Sequence, residues 1–321
     1  MNKLTSLISL LFVVFSCTTS FAQSQKVIKT LIIDGQNNHV QWPKITFMMK
    51  QYLEETGKFS VDVKRTYYTW QGADLIEKFP INGVEKTMAL PEPKMDSSFH
   101  PDFSKYDLVI CNFGWKAAPW TTETQADFEK FIKKGGGLVV VHAADNSFPE
   151  WLAYNKMIGI GGWGNRNEKD GPYLYYNQEG KLTRDTQAGS AGTHGAQSEF
   201  LITLRNTKHP ITRGMPTKWL HTKDELYSRM RGPAENIDVL GTAFSEKSKV
   251  HEPMLMTIKY GKGRVFHTTL GHVDYSVECV GFITCLQRGA QWAATGKVDI
   301  PIPKDFPTET VVSQRKFVEK K

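Results

Sequence analysis

Cysteine is scarce in this chain of 321 residues, with 4 in all. Cys17 lies in the apolar N-terminus, which leaves Cys111, Cys279 and Cys285. The remainder is odd in number and contains no C-x-x-C spacing, so neither a disulfide framework nor a structural zinc site is expected. The three read as small buried hydrophobic residues. Nucleophile motifs are missing too. There is no Gly-x-Ser-x-Gly, and no Cys stands at a strand-to-helix elbow, so acyl transfer through a serine or a thiol has no candidate. A helical H-E-x-x-H is absent. Charge of one sign is concentrated nowhere: 40 Lys+Arg against 33 Asp+Glu give a net +7, scattered along the chain. No basic stripe marks a nucleic-acid partner. Past Phe15 no segment is apolar enough for a membrane span, which needs about 20 residues. Hydrophobic residues still make up 40% of the chain, enough for a sizeable core.

What is present begins with a targeting signal. Lys3, the apolar run Leu4–Phe15 and the small-x-small triplet Ser20-Phe21-Ala22 read as a signal peptide over residues 1–22. Cleavage near Ala22 predicts an exported protein, periplasmic or secreted. Lipidation at Cys17 ranks second, because Phe15 is bulky for a lipoprotein box.

Strand and helix patterns then alternate. Val27–Ile33 reads as a strand, Ile45–Leu53 as a helix, and Phe59-Val61-Val63 as a strand. Residues 71–104 carry Pro80, Pro91, Pro93 and Pro101 and read as an irregular excursion. Tyr106–Phe113 is the next strand. Thr122–Gln125 has a capping-box pattern opening a helix, Gly135 ends it, and Leu138–Val141 follows as a buried strand. Phe200–Leu204, Val239–Phe244, Met254–Ile258 and Val265–Leu270 are further strands, and Phe282–Ala294 is a closing helix. The alternation predicts one α/β domain over residues 23–297, with a mostly parallel sheet and helices on both faces. Residues 150–235 are expected as a large insertion, and the Pro-rich, charged tail 298–321 as a surface wrap.

Ligands of open α/β sheets bind beyond the carboxyl ends of the strands. Three of those ends carry a histidine and a nearby carboxylate: Asp34 before His39, His142 with Asp145, and His272 with Asp274. Imidazole in such a crevice suits proton transfer near neutral pH or binding of a divalent metal such as zinc. Spacing leaves both open. His221, Asp224, Glu225 and Tyr227 form a second polar group, which reads equally as a helix cap. His194 lies in a glycine-rich loop. Gly159–Gly164 matches G-x-G-x-x-G, but no strand precedes it, so no nucleotide is expected. Trp163 in that loop, with Trp42, Trp115 and Trp120, could stack on sugar faces, although core packing explains at least half of them.

Longer stretches carry a family resemblance. GGWGNRNEKDGPY, THG, HPITRGMP, DELY, RGPAENIDVL, HEPMLMTIKYGKGRVFHTTLGH and QRGAQWAATGKVDIPIPKDFPT resemble the trehalose-utilisation (ThuA-like) family over roughly residues 27–308. The resemblance implies a class I glutamine amidotransferase-like, flavodoxin-like doubly wound fold without the amidotransferase cysteine. It implies a carbohydrate role on a disaccharide or 3-keto-glycoside, with a partner oxidoreductase supplying the latter. A non-catalytic sugar-binding or scaffold role is the alternative. Where many members show His-Asp-Trp after the first strand, this chain has His39-Val-Gln-Trp42. His39, His142, Glu225 and His272 match family positions. The expected catalytic residues are His142, Glu225 and Asp145. The expected metal ligands are His39, His142 and His272. Trp163, Arg166, His194, His221, Asp224 and Tyr227 are expected to bind the sugar.

Overall fold

A computed structural model describes residues 26–319; the signal read over residues 1–22 lies outside them. The first half builds β1 (Ile28–Gln36), α1 (Trp42–Glu54), β2 (Phe59–Trp70), α2 (Ala73–Lys78), β3 (Met88–Leu90), β4 (Leu108–Cys111), α3 (Thr122–Lys133) and β5 (Gly137–Val141). It continues through α4 (Leu152–Ile158), β6 (Tyr173–Tyr176), β7 (Leu182–Asp185), β8 (Thr193–His194), β9 (Ser198–Leu204), β10 (Lys218–Asp224) and β11 (Tyr227–Ser228). The chain closes with β12 (Ile237–Phe244), β13 (His251–Tyr260), β14 (Gly263–Thr268), α5 (Asp274–Val277) and α6 (Val280–Thr295).

A 12-stranded sheet runs through the molecule. From β3 through β2, β1, β4 and β5 to β14 the pairings are parallel. Taking β1, β2, β4, β5 and β14 as the first to fifth strands of this run, their spatial order is the flavodoxin-like 2-1-3-4-5. Beyond β14 the sheet turns antiparallel through β13, β12, β9 and β10. Within residues 150–235, β9 covers the strand read at Phe200–Leu204, and β10, which carried no strand reading, extends the central sheet beside it.

Strand periodicity explains the layers. Ile32, Ile110, Val139 and Val141 face α1 and α6, in a core with Met48, Leu53, Phe282 and Leu286. Their neighbours Ile33, Val109, Leu138 and Val140 face the other way, toward Phe128 of α3 and Tyr154 and Met157 of α4. Successive side chains of a strand point to opposite faces, so a strand covered on both sides reads as a continuous apolar run.

Two local expectations shift. α1 begins at Trp42, earlier than the apolar spacing suggests, because Pro43 is preorganised for a first helical turn. α3 is capped by Thr121, whose side chain accepts from the Thr124 N–H at 3.2 Å. Gln125 turns to the Trp120 carbonyl instead of closing a capping box. Thr121 and Thr122 are adjacent and either could cap; the extended backbone at Thr121 decides it. The tail is hydrogen-bonded to the body of the domain: Val280 N–H donates to Ser313 O, and Leu220 N–H to Thr308 O. Cys111, Cys279 and Cys285 are free and buried.

Candidate metal centre

β5 is buried along its whole length and flanked by parallel β4 and β14. At its carboxyl end His142 has φ +46° and opens a single 3-10 turn over His142–Asn146. A positive φ at a non-glycine costs about 1–3 kcal/mol and persists only where the surroundings enforce it. A strand, a left-handed residue and a helical turn make the kind of elbow that elsewhere presents a nucleophile. Here it presents an imidazole.

The ring's hydrogen bonds set its tautomer. His142 Nδ1 lies 2.6 Å from the Thr269 carbonyl, which can only accept, so Nδ1 carries the proton. Nε2 therefore has a free lone pair, and the Tyr227 hydroxyl donates to it at 2.8 Å. Burial is the main cause that holds the His142 pKa down to about 3, so the ring is neutral.

His39 sits in the turn between β1 and α1, where its N–H donates to Asn37 Oδ1 at 2.9 Å. Its ring centroid is 5.0 Å from that of His142 and 4.5 Å from that of His272. Its Nδ1 is buried without a hydrogen-bond partner. Burial, then the neighbouring His142 and His272, brings its pKa down to about 2. His272 follows β14, and burial lowers its pKa as well. Glu225 follows β10 and lies among them, 3.5 Å from His272 Nε2, 3.9 Å from His142 Nε2 and 3.7 Å from His194 Nδ1. Burial raises its pKa.

One donor atom from each of His39, His142, Glu225 and His272 lies within 4.8 Å of the other three. Such a group could hold a metal ion. Metal–nitrogen bonds of about 2.1 Å set tetrahedral donors about 3.4 Å apart, so the widest pair needs to close by at most about 1.4 Å. Neutral imidazoles are the form that binds metal, and an orphaned buried nitrogen at His39 is a donor without protein use. Imidazole with one carboxylate suits zinc, iron, nickel or copper better than calcium or magnesium.

The site differs from the strand-end pairs read in the sequence. None of the three adjacent aspartates is the carboxylate of this group. Asp34 is buried in β1 and holds Arg65 at 2.8 Å. Asp145 turns beneath the elbow to His267 Nε2 at 3.1 Å. Asp274 pairs with Lys44 at 2.6 Å. Residues two to five positions away point to different sides of a turn, so proximity in sequence does not become proximity at the site. The carboxylate comes instead from Glu225, at the end of the segment 150–235.

The remaining expected residues divide. Tyr227 touches His142 directly, and Trp163 stands edge-on to Tyr227 with centroids 4.8 Å apart. His194 pairs with Tyr227 across β8 and β11 and is exposed at the mouth. Asp224 and His221 lie fully buried behind Glu225, 2.8 Å from each other. Arg166 does not line the opening. It is buried, and its guanidinium donates to Asn155 Oδ1, Gly162 O and Ser147 O, tying loops together. Trp42 and Trp120 are core residues, while Trp115 is exposed beside Asn38, whose Oδ1 accepts its N–H. Gln197 carries no sequence signal, yet its amide lies 2.7 Å from His272 Nδ1. His267, inside the apolar strand β14, is a buried partner of Asp145; a histidine within such a strand is the one sequence signal of it.

A family model described as ThuA, trehalose utilisation, matches residues 29–293. A solved ThuA-like protein from Parabacteroides merdae is 43% identical to this chain. That match covers 91% of this chain and 98% of the other, with a TM-score of 0.79. A second, from Bacteroides uniformis, is 18% identical over 86% of this chain and 94% of its own, with a TM-score of 0.52, and is alike in fold. No curated protein matches.

Proposed function

This chain belongs to the ThuA, or trehalose-utilisation, family, and from that premise and the geometry of the crevice we propose a metal-dependent, exported, carbohydrate-processing enzyme. The observation that carries this reading is the convergence of three neutral imidazoles and one carboxylate at the carboxyl ends of parallel strands. His39, His142, Glu225 and His272 would hold a divalent ion, zinc being the first choice for this donor set. The ion would supply Lewis-acid polarisation of a bound carbonyl or hydroxyl oxygen.

The chain's own groups have separable roles. Thr269 O orients His142 by taking its Nδ1 proton in a hydrogen bond, which turns Nε2 into the crevice. Once that lone pair is engaged, the Tyr227 hydroxyl is free to donate to a substrate oxygen. Trp163 and the half-exposed His194 border the opening, where an aromatic face and a hydrogen-bonding ring suit a sugar. The groups that touch the four donors are hydroxyl, amide and imidazole, which favours a neutral, hydroxyl-rich ligand over a phosphate. A disaccharide or its 3-keto derivative fits this description, the latter arising from a partner oxidoreductase.

The test is to strip the protein with chelator, titrate zinc, and incubate the loaded protein with trehalose and 3-keto-disaccharides, following products by mass spectrometry. The expected result is one zinc per chain and zinc-dependent turnover that Tyr227→Phe lowers by about 10²-fold or more, with zinc retained. Sugar binding without turnover, unaffected by loss of zinc, would replace the enzyme by a binding module.

A further inference from the structure

We propose that Asp224 is the positioning residue of this centre: a single buried carboxylate that sets Glu225 and His272 against each other. The inference rests on the metal-centre reading above. Glu225 follows β10 and His272 follows β14, and these strands are not neighbours in the sheet. Two donors on separate elements need a common anchor, and Asp224 touches the backbone of both.

Its four contacts divide evenly. Oδ1 accepts the N–H of Glu225 at 2.8 Å and the N–H of His272 at 3.1 Å. Oδ2 accepts the N–H of Gly271 at 2.8 Å and lies 2.8 Å from His221 Nε2. A carboxylate offers about four acceptor positions, and all are used. The turn at Gly271 is what aims two successive N–H groups at one side chain. It has φ +110°, and an added Cβ there would come 2.9 Å from the Phe282 ring. His221 fixes Asp224 from behind. It is fully buried on β10, and Asp224 is the hydrogen-bond partner of its Nε2, while its Nδ1 has none.

The arrangement discriminates sharply between an acid and its amide. Asparagine has the same shape but only one accepting end. Whichever way the amide lies, its NH2 meets two donors. His221 can change tautomer to accept from it, but the Gly271 N–H cannot, so the backbone that carries His272 is released. Removing the partner that orients a metal ligand costs about 10- to 100-fold in affinity.

The experiment is a zinc affinity measurement by chelator competition on full-length wild type, Asp224→Asn and His221→Gln. Circular dichroism and thermal unfolding of the metal-free proteins accompany it. Asp224→Asn is expected to bind zinc about 10- to 100-fold more weakly while folded, and His221→Gln about 3- to 10-fold more weakly. Should Asp224→Asn not fold, His221→Gln decides alone. A purely structural Asp224 would lower the melting temperature yet leave the zinc affinity of the folded variants at the wild-type value, which overturns the proposal. Wild type that takes up no zinc overturns the metal reading itself, and this proposal with it.

Discussion

Acid should destabilise this protein through its histidine cluster, and the size of the effect follows from the site. Burial, the largest cause, holds His39 and His142 down to about 2 and about 3 in the folded chain. In the unfolded chain each returns to about 6.5. A histidine with a depressed folded pKa favours folding above its unfolded pKa, and that advantage drains away as the pH falls below it. At about pH 5 each unfolded ring is charged and each folded ring is not, a cost of about 2 kcal/mol apiece, or about 4 together. His272 shifts in the same direction. His221 works in the opposite sense. Burial lowers it, but the negative charges of Cys279, as thiolate, and Asp224 outweigh that and lift it to about 10. Its stabilisation is full below about 6.5 and is lost as the pH rises toward its folded pKa, so acidification from about pH 7.5 returns about 1 kcal/mol. The metal-free protein should therefore lose about 3 kcal/mol between about pH 7.5 and about pH 5. Urea unfolding followed by tryptophan fluorescence, in chelator, measures it at both values. His39→Gln should remove about 2 kcal/mol of the pH dependence. Equal stability at both pH values, or a dependence untouched by that substitution, would show that these rings are not held neutral by burial.

Two further substitutions test the frame around the site. Gly281→Ala puts a Cβ 2.2 Å from the buried Trp219 ring where α6 packs on β10. Overpacking of about 1–3 kcal/mol should exceed the roughly 1 kcal/mol that alanine gains in a helix, so the melting temperature should fall; a rise would refute the packing argument. Arg166→Ala should cost more than about 2 kcal/mol in unfolding free energy, because several carbonyls and the Asn155 side chain lose a charged donor. Zinc affinity of its folded fraction should stay at the wild-type value, and a selective loss of sugar binding in a fully stable variant would return Arg166 to the substrate site.

Much of the frame is local and can be read from one dimension. A strand buried on both faces needs an apolar run such as Leu138–Val141, and a helix packed on one face needs the spacing of Phe128 and Ile132. The histidines could be placed for the same reason. A polar residue that ends an apolar strand lies at the sheet's carboxyl edge, so His142 and His272 were expected to share a crevice, and His39, in the turn just past β1, with them. What could not be read was their partners, because the contacts join distant segments. The tyrosine on His142 is 85 residues away, and the carbonyl that sets its tautomer is 127 away.

The carboxylate shows the division best. Asp34, Asp145 and Asp274 were near the histidines in sequence, but each is held by another partner, Arg65, His267 or Lys44. Glu225 was legible only through the family resemblance, since its own neighbourhood reads equally as a helix cap. The sequence by itself determined the alternating layers, the lack of a nucleophile and the edge at which the histidines gather, since periodicity and residue chemistry act locally. Tertiary structure alone decided that the neighbouring aspartates turn away from the histidines, which imidazole nitrogen faces the crevice, and that one carboxylate, Asp224, accepts the backbone N–H of both Glu225 and His272. Those outcomes depend on side-chain direction and on hydrogen bonds across the fold, which no local spacing encodes.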